Sequence, residues 1–558
     1  MKKILKSVVL LVTAGLIIQI APVLTFRRQR NPRPLPYAYK KGAFHVHSIF
    51  SDGLGDIGEI AAGAAKCGLS FVILTDHGRP NRFSSAATQW RDRTLLIGAS
   101  EFSLNGGHMA AAGYRVHDYI FPPEPQEAID EVNRDGGVTF IAHPLDRKIP
   151  WTDWNVTSFS GIEVISAYTS ARNAPIQRLL VLPWQYLFHS DFALLSLLRY
   201  PEGEMALWDR LNRGGTYYGI YALDAHAKLQ ISRQLRLHFP SYETMFRMLT
   251  VYVKIDGGFT GDPRQSASRV VSALKHGNFF NVIESLASAN GFECFYQPRS
   301  GQAAAMGKFS DLWPGEIVLK LPFAFPTLIV MKKDGQIFKK ILARNQDDVR
   351  IAVEQPGVYR TEIFLAGSRF GRLPWIMANP IFIGRRPSAS NPTPVPPSPA
   401  ARLPGAGIRF QIERNPTSQA ELAQKAAGDG TTVNSLDFAL NRESPETADF
   451  WVALALRNPI DLSRYRGLVF TVRGDTRMRL WAQFRTRGAG GEDAYQHSFP
   501  VDREWATVAL PFPWFHHLYG NGSRMDLAAA NAIFFIIDST IAFSGKKGKI
   551  DFRDIGLY

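Results

Sequence analysis

Short apolar runs alternate with amphipathic helical stretches from residue 42 to about residue 280. After the first run, apolar residues between Ile57 and Ala65 recur close to i, i+3, i+4, i+7 spacing, and Gly68 ends this predicted helix. A second helix is predicted near Gln126–Arg134. Strands are predicted at Gly42–Ser48, Leu69–Thr75, Thr94–Ser100, Val138–Ala142, Gly161–Ser166 and Tyr217–Leu223. Repeated strand–helix units favour parallel strands with helical crossovers, in an open sheet or a barrel.

A stretch between residues 175 and 213 departs from this alternation. Its runs Leu179–Phe188 and Phe192–Leu198 are largely apolar and predict an inserted pair of helices. Packing of the pair on the barrel is favoured, and a position near a membrane is the alternative.

The chain becomes β-rich after a helical pattern around Ser266–His276. Runs at Glu316–Leu321, Thr327–Met331 and Tyr359–Leu365 predict a small sandwich that extends to about Gly384. Residues 385–405 contain seven prolines, which predict a semi-rigid linker. Further strands, typical of an all-β sandwich, are predicted at Gly467–Arg473, Leu480–Arg485, Trp505–Leu510, Ala532–Ile537 and Lys549–Phe552.

A chain of 558 residues is too long for one hydrophobic core. A hydrophobic content of 45% and a charged content of 20% are ordinary for a globular protein, so wholesale disorder is not expected. The predicted segments are a signal anchor with a basic flank at 1–41, an α/β domain at 42–280, a β-rich appended domain at 281–384, the linker at 385–405 and the sandwich at 406–558.

An apolar segment from Val8 to Phe26 follows a short Lys-rich start. Its length is near the roughly 20 residues that span a bilayer. No convincing small-x-small cleavage site precedes Arg27, so an uncleaved anchor is favoured over a signal peptide, and a buried core helix is the remaining alternative. We therefore expect a membrane-anchored protein whose domains lie outside the cytoplasm.

The net charge of +15 invites a nucleic-acid interpretation. Residues 1–41 hold nine basic residues and no acid, which leaves +6 for the rest of the chain. Most of the excess thus flanks the apolar segment, where it can meet anionic lipid headgroups. Specific binding of duplex nucleic acid is not expected. The two cysteines exclude a disulfide framework and a thiolate-rich zinc site.

Imidazoles and carboxylates recur at or just past the ends of predicted strands. The nine candidate metal ligands are His45, His47, Asp52, His77, Glu101, His108, His143, Asp224 and His226. The carboxyl ends of barrel strands meet at one mouth, so these groups are expected to converge there. A lone histidine is more often structural, but six at the same strand-end position are hard to assign to packing.

Imidazole and carboxylate together suit Zn²⁺, Mn²⁺ or Fe²⁺. Nine such groups are too many for one four- or five-coordinate ion, so two or three divalent ions are implied, with Glu101 as a natural bridge. Near Glu101, His117 is the alternative to His108.

The segments "FHVHSIFSDG", "FVILTDHG", "GASEFSLNGGHMAAAG", "FIAHP", "GIEVIS" and "ALDAH" resemble, in order, the motif series of the polymerase and histidinol phosphatase (PHP) family. The resemblance covers about residues 42–230. It implies a distorted (β/α)7 barrel with a trinuclear metal site, followed here by a small β-rich domain and a C-terminal all-β jelly-roll-like sandwich. Asp52 stands where some members have a histidine.

The resemblance also implies how the ligands divide among three ions. One ion would be held by His45, His47, Glu101 and Asp224, a second by Glu101, His108 and His143, and a third by Asp52, His77 and His226.

A metal-activated hydroxide that attacks a phosphate mono- or diester is the chemistry such a cluster supports. Asp52, His77, Asp224 and His226 are the predicted catalytic residues. Asp76 is expected to orient a ligand or to face solvent in its turn. Arg79 and Arg147 are candidates to bind a substrate phosphate, with an ordinary surface position as the alternative for each.

The two β-rich regions resemble known modules. The segment "PGVYRTEIF…LPWIMANPIFIG" resembles the appendage that follows the barrel in membrane-anchored PHP proteins, and a structural role is expected. The segment "DLSRYRGLVFTVRGD…KIDFRDIGLY" resembles a carbohydrate-binding jelly-roll sandwich. Four aromatic residues there would stack on a glycan or form the core: Trp481, Trp505, Trp514 and Tyr495.

A metal-dependent phosphoesterase acting on a phosphorylated small molecule or an oligonucleotide is the leading hypothesis. An envelope- or capsule-assembly phosphatase, including a tyrosine phosphatase, is an enzymatic alternative. A membrane-anchored polysaccharide-binding protein is an alternative of another class. Retention of all nine ligand-type residues favours an enzyme.

Overall fold

The protein is described by a computed structural model. The described residues are 21–230, 235–322, 325–344, 348–384, 397–403, 409–426, 432–443, 449–488, 491–519 and 525–558. They are mostly β, and fewer of them are helical than the predicted strand–helix alternation implies. The chain forms two compact units, Met1–Arg115 with Pro123–Ser390, and Val116–Pro122 with Asn391–Tyr558.

Besides the short helical segment at residues 21–25, the first unit contains nine α-helices among the described residues. They are α1 Ile57–Lys66, α2 Arg82–Ser85, α3 Pro125–Arg134, α4 Ala167–Arg172, α5 Ile176–Phe188, α6 Ser190–Leu195, α7 Glu202–Leu211, α8 Tyr242–Phe246 and α9 Pro263–Lys275. Several begin at a side-chain cap. In α1, for example, the carboxylate of Asp56 accepts the Glu59 amide at 2.8 Å, and in α9 Asp262 caps the helix in the same way.

The strands of the first unit carry the site. They are β1 Tyr39–Val46, β2 Phe71–Leu74, β3 Gln89–Arg91, β4 Thr94–Leu104, β5 Gly107–Ala112, β6 Val138–Ile141, β7 Gly161–Ser166, β8 Tyr218–Ala222, β9 Leu229–Gln230, β10 Arg236–Leu237, β11 Leu249–Lys254, β12 Phe279–Ile283, β13 Glu293–Pro298, β14 Ala304–Ala305, β15 Phe309–Ser310, β16 Gly315–Lys320, β17 Thr327–Lys333, β18 Gln336–Ala343, β19 Asp348–Val353, β20 Gly357–Leu365, β21 Ile376–Ala378 and β22 Ile381–Ile383.

Seven strands follow one another in the order β1-β2-β4-β5-β6-β7-β8. The pairs β1–β2, β2–β4, β6–β7 and β7–β8 are parallel. Backbone bonds also join the end of β8 to β1: Leu223 N–H donates to Phe44 at 3.0 Å, and Ala225 N–H donates to His45 at 3.1 Å. The first and last strands of the series therefore meet. The finer prediction of a (β/α)7 barrel stays a prediction.

One strand of this series, β5, departs from the parallel pattern. It pairs antiparallel with both β4 and β6, because only Asn105 and Gly106 separate β4 from β5 and so short a connection makes a hairpin. Gly107 has a φ of 126°, which favours glycine at this turn. The site is therefore built on a mixed sheet.

The strands beyond residue 280 extend the same sheet. β12 pairs with β21, and β20, β22 and β15 follow. The buried Arg360 of β20 donates to Asp209 of α7 at 2.9 and 2.8 Å and to Glu362 at 2.6 Å. A separate four-stranded sheet is formed by β14, β13, β16 and β19. The boundary predicted near residue 280 thus lies within β12, whose neighbours β11 and β21 belong to the same sheet.

The predicted inserted helices are present as α5 and α6, but they are placed differently. In α6, four residues from Phe192 to Leu195 are buried. In α5, no residue is buried. The second helix therefore packs on the fold as predicted, and the first contacts the fold only along its inner side, where the Tyr186 hydroxyl donates to Thr244 at 3.2 Å.

The second unit is a two-sheet sandwich of β23 Ala401–Arg402, β24 Gln411–Arg414, β25 Gln419–Ala426, β26 Thr432–Ala439, β27 Trp451–Ile460, β28 Gly467–Gly474, β29 Met478–Gly488, β30 Gly491–Val501, β31 Ala506–Pro511, β32 His516–Tyr519, β33 Ala530–Asp538 and β34 Lys547–Leu557. Residues such as Phe470, Phe535 and Phe552 from both sheets form its core. The predicted β-sandwich is confirmed. The linker predicted at 385–405 lies largely outside the described residues.

Within the described part of the chain, no helix has the length and apolar character needed to cross a membrane. The predicted anchor at Val8–Phe26 lies outside the described residues except for its last six positions.

Candidate metal centre

The nine predicted ligands come together at one end of the strand series. His45 and His47 lie at the end of β1, and their Nε2 atoms are 3.1 Å apart. His77 and Glu101 lie opposite each other as an isolated parallel bridge that continues β2 and β4. His143 follows β6, while Asp224 and His226 follow β8.

Glu101 lies at the centre of the cluster, with its side chain almost fully buried. Its Oε1 is 3.1 Å from His108 Nδ1 and 3.1 Å from His143 Nε2. Its Oε2 faces three other imidazoles, at 3.3, 3.3 and 3.2 Å: those of His45, His47 and His77. The two oxygens thus face separate sets of nitrogen atoms, which is the arrangement of a bridging carboxylate.

His108 reaches Glu101 because of the β4–β5 hairpin. In its register Glu101 opposes Ala110 and His108 opposes Ser103, so Glu101 and His108 are diagonal neighbours on one face. The ring of His117, the sequence alternative, instead stacks on Tyr119 in the second unit.

Three groups of these side chains have ligand atoms within 4.8 Å of one another. They are His47, Asp52, His77 and His226; His45, His47 and Asp224; and His77, Glu101 and His108. In the first group Asp52 Oδ1 is 3.0 Å from His226 Nε2 and 3.7 Å from His77 Nε2. The groups overlap the three predicted ligand sets but differ from them in three ways. His47 and His77 are each shared between two groups, Glu101 is absent from the group of His45 and Asp224, and His143 belongs to none of the three. The division of the ligands among three ions stays a prediction.

The backbone at the site is strained. His45, His143 and Asp224 have φ values of 67°, 31° and 51°, in the left-handed region that residues with a Cβ rarely occupy. Such conformations persist where surrounding structure holds them, and they concentrate at functional sites. For His45 the strain accompanies a register shift between Ala43 and Val46 in the pairing of β1 with β2.

Sequence reasoning missed Glu163. Its Oε1 accepts a hydrogen bond from His45 Nδ1 at 2.5 Å, and its Oε2 accepts the His143 amide at 2.9 Å. It therefore holds one ligand by its ring and another by its backbone. The signal was present, because an acid in the buried strand "GIEVIS" is costly unless it is paired.

Lys228 was also missed. Its Nζ donates to the Asp52 carbonyl and to Asp52 Oδ2, both at 2.6 Å. Asp76 lies in the neighbouring turn, where its carboxylate accepts the Ser48 amide at 2.7 Å and the Ser51 hydroxyl at 2.7 Å. Ser51 Oγ is in turn 3.4 Å from His47 Nδ1. Asp76 thus fixes the turn that carries His47 and Asp52.

The carboxylates and imidazoles shift one another's charge states. Burial alone would raise the pKa of Glu101, but His45, His108 and His143 outweigh it and hold that pKa well below its usual range. Burial alone would lower the pKa of His47, but Asp224 and Glu101 raise it to about 9. Glu163, Glu101 and Asp224 likewise outweigh burial and hold the pKa of His45 well above its ordinary value.

His77 behaves differently, because burial dominates and lowers its pKa to about 4. Its imidazole is therefore neutral at pH 7 and presents a lone pair. The pKa of Asp52 is held below its usual range because His226 and Lys228 outweigh the effect of burial.

The donor set fits divalent cations. His143 Nδ1 is buried and has no hydrogen-bond partner among the described residues, while Asp52 Oδ1 and His77 Nδ1 are buried and face other candidate ligands, His226 at 3.0 Å and Glu101 at 3.2 Å. Leaving such atoms unsatisfied is costly, and coordination to metal is one way to satisfy them. The six imidazoles and their carboxylates belong to the ligand types of Zn²⁺, Mn²⁺ and Fe²⁺.

The two predicted phosphate-binding arginines have different surroundings. Arg79 is partly buried, and burial lowers its pKa against the opposing charge of Glu124. Arg147 lines a cleft of about 210 Å³ beside His143, together with Arg199 and Tyr200. Of the two predicted phosphate-binding arginines, Arg147 lines this cleft and Arg79 does not.

The four aromatic residues proposed for glycan stacking also differ. Trp481 and Tyr495 are buried in the sandwich. The Trp505 ring lies 4.6 Å from the guanidinium groups of both Arg473 and Arg553. Trp514 is exposed, with the His497 ring 5.5 Å away. Core packing therefore accounts for two of the four.

Comparison with known proteins gives one family match and several similar structures. Residues 442–545 match the family model of Complex I intermediate-associated protein 30 (CIA30). No curated protein sequence matches the chain. The matched residues cover a minority of the chain and lie in the sandwich.

Several solved structures are similar to parts of the chain. A two-domain protein of Bacteroides vulgatus, described as containing a predicted PHP-like metal-dependent phosphoesterase, is 16% identical over 64% of this chain and 99% of its own, with a TM-score of 0.31. A family 11 carbohydrate-binding module of Clostridium thermocellum is 13% identical over 29% of this chain and 94% of its own, with a TM-score of 0.23. A family 30 module from a cellulosomal cellulase of Clostridium thermocellum is 15% identical over 29% of this chain and 94% of its own, with a TM-score of 0.21. Scores this low do not establish a function.

Proposed function

We propose that the first unit is a metal-dependent phosphoesterase that hydrolyses a phosphate mono- or diester. The observation that carries this proposal is the position of Glu101, whose two oxygens face five imidazoles within 3.3 Å. A structural salt bridge has no need of so many nitrogen ligands around one carboxylate. Phosphoryl transfer by positioned divalent ions needs such an arrangement.

The carboxylates of Glu101 and Asp224 would neutralise the charge of the cations, and six imidazoles would help to hold them: those of His45, His47, His77, His108, His143 and His226. When bound, such ions lower the pKa of water and neutralise the charge of phosphate oxygens. Glu163 keeps the Nε2 of His45 directed at the centre by accepting from its Nδ1. Asp52, restrained by Lys228, carries a carboxylate at the more exposed side of the cluster.

Substrate would approach from that exposed side. The Asp52 and His77 side chains are 45% and 33% exposed, while those of His45 and His47 are fully buried. Arg147, which lines the cleft beside His143, would bind phosphate oxygens through its guanidinium. The substrate class is a phosphorylated small molecule or an oligonucleotide.

Turnover of phosphate mono- and diesters by the purified full chain in Mn²⁺ and in Zn²⁺ tests the proposal. Asp224→Ala should lose turnover together with bound metal, because this carboxylate lies within 3.6 Å of His45, His47 and His226. His276→Ala is the matched control, since His276 is exposed at the end of α9 and away from the cluster. Turnover that survives in Asp224→Ala would place the chemistry elsewhere.

Polysaccharide binding is the alternative that the same preparation distinguishes. Bound metal without hydrolysis of any ester, together with glycan binding that Trp514→Ala abolishes, would favour it. Trp514 is chosen from the four candidate aromatic residues because its side chain is exposed. Trp481 and Tyr495 are buried, and the Trp505 ring lies against two arginines.

A further inference from the structure

The exposed side of α5 is apolar. The residues of this helix that face water are Ile176, Gln177, Leu180, Pro183, Trp184, Leu187 and Phe188, which repeat at helical spacing and include one polar residue. Ile176, Leu180, Trp184 and Leu187 are 61%, 69%, 64% and 73% exposed. We call these four residues, with Phe188, the α5 face. A helix on a water-exposed surface ordinarily has the opposite polarity.

The neighbouring helix shows that this exposure is specific to α5. α6 follows directly and buries Phe192, Ala193, Leu194 and Leu195. The only charged residue in α5 is Arg178, and the helix contains no acid. The apolar side chains of α6 are therefore buried, whereas α5 exposes an apolar face to water.

Positive charge lies along the other side of α5, in a cleft that none of the α5 face residues lines. Val181 and Gln185 of α5 line a cleft of about 720 Å³, and four arginines line the same cleft against one acid, Glu202. The arginines are Arg178, Arg199, Arg369 and Arg372. A helix with a tryptophan-containing apolar face and basic residues along its other side has the composition of one that lies in the interface of an anionic membrane.

The N-terminal segment reaches the same region. Residues 21–25 are helical, with Leu24 exposed, and they end the apolar run that begins at Val8. Phe26 then packs beside α6, with its ring 5.1 Å from that of His189 and 5.7 Å from that of Phe192. Phe26 also contacts Phe370, which lines the basic cleft. The described end of the apolar run thus lies beside α6 and the basic cleft.

We propose that the α5 face docks on the surface of an anionic lipid bilayer, with its apolar side chains in the interface and the arginines of the cleft against the headgroups. This contact is independent of the phosphoesterase chemistry. It differs from a spanning anchor, because the helix lies on the bilayer and only its outer face leaves water.

A fluorophore at a single residue of α5 tests the contact in the full chain. Its emission reports the surroundings of that residue and is read separately from any membrane binding by the N-terminal segment. An environment-sensitive fluorophore is attached at Leu187→Cys, in a background of Cys67→Ser and Cys294→Ala that removes the native thiols. The matched control is Ile337→Cys, an apolar residue of β18 that is 56% exposed. Each labelled protein is mixed with vesicles of phosphatidylcholine alone or of phosphatidylcholine and phosphatidylglycerol in equal parts.

The proposal predicts a blue shift and a rise in emission at position 187 with phosphatidylglycerol vesicles, a smaller change with phosphatidylcholine alone, and a loss of the difference at high salt. The emission of the fluorophore at position 337 should stay that of a water-exposed probe with both vesicle types. An aqueous spectrum at position 187 with both vesicle types would overturn the proposal. So would a shielded spectrum at position 187 without lipid, because residues 1–20 or a second copy would then cover the face.

Discussion

Glu101 illustrates how single residues set the properties of this centre. It is buried among five imidazoles, and these keep its pKa well below the ordinary value despite burial. The negative charge that results attracts either protons or metal ions. The neighbouring histidines respond in opposite ways, since the pKa of His47 rises to about 9 and that of His77 falls to about 4.

Glu163→Gln should weaken metal binding without unfolding the protein. The amide keeps the shape of the side chain but removes the charge that faces His45 Nδ1 at 2.5 Å. Substitution of a residue that hydrogen-bonds to a metal ligand typically lowers metal affinity by about 10–100-fold. Metal titration of the full chain measures the loss, with Glu354→Gln as a control on an exposed residue. Unchanged affinity would show that Glu163 serves packing alone.

Metal binding should release protons and strengthen as pH rises from 7 towards 9. The raised pKa values of His45 and His47 mean that both imidazoles are protonated at pH 7 in the metal-free protein, so a cation must displace those protons. Apparent affinity should increase by about tenfold per pH unit for each proton displaced. Calorimetry in buffers of different ionisation enthalpy counts the protons. Binding that is independent of pH would mean that these imidazoles are not ligands.

The ligand-type residues could be predicted from sequence because each lies where an apolar run ends. Glu163 and Lys228 could not be assigned in that way. Glu163 lies inside a buried strand, and its partners His45 and His143 are brought to it only by the strand order. Lys228 contacts Asp52 across 176 residues of sequence, which no local pattern indicates.

At the level of secondary structure, short turns position the ligands. The turn after β1 places Asp52 and is held by Asp76 through Ser48 and Ser51. Gly53 lies in this turn, where a Cβ would come 2.5 Å from the carbonyl oxygen of His47. The turn has no room for a larger residue.

Gly53→Ala should therefore move Asp52 away from His77 and His226. Relief of the backbone clash is expected to cost about 1–3 kcal/mol of stability, as overpacking usually does. Thermal unfolding and metal stoichiometry measure the two effects. Gly214→Ala is the control, because a Cβ there meets nothing within 4 Å. Equal thermal stability and equal metal stoichiometry of the two variants would show that the turn accommodates a Cβ without displacing Asp52.

Strands were predicted more closely than their pairing. The predicted strand Gly161–Ser166 agrees with β7 at both ends, and Val138–Ala142 differs from β6 by one residue. The antiparallel direction of β5 was not foreseen, because strand–helix alternation implies parallel neighbours and the Gly106-Gly107 turn was not weighed. The outward face of α5 was not foreseen either, since periodicity shows an apolar face but not what covers it.

For the whole molecule, several strands between residues 280 and 384 belong to the sheet that carries the site. β12 pairs with β21 over Phe280–Val282, and Arg360 of β20 is held by Asp209 of α7 in a buried ion pair. The sequence predicted a separate appended domain because composition changes there. Pairing between distant strands leaves no trace in composition.

A chain that ends at residue 280 should fail to fold cooperatively, whereas one that ends at residue 384 should fold. The shorter chain cuts β12 after Phe280, lacks its partner β21 and leaves Asp209 without Arg360. Breaking a buried ion pair typically costs about 3–5 kcal/mol. Thermal unfolding followed by circular dichroism compares the two. A sharp transition in the shorter chain would support the predicted boundary at 280.

Anomalous scattering from crystals of the full chain grown in Mn²⁺ tests the metal centre most directly. We expect two or three peaks among the nine ligands, with Glu101 bound to two ions through different oxygens. A single peak, or peaks that leave Glu101 and His143 uncoordinated, would contradict the account.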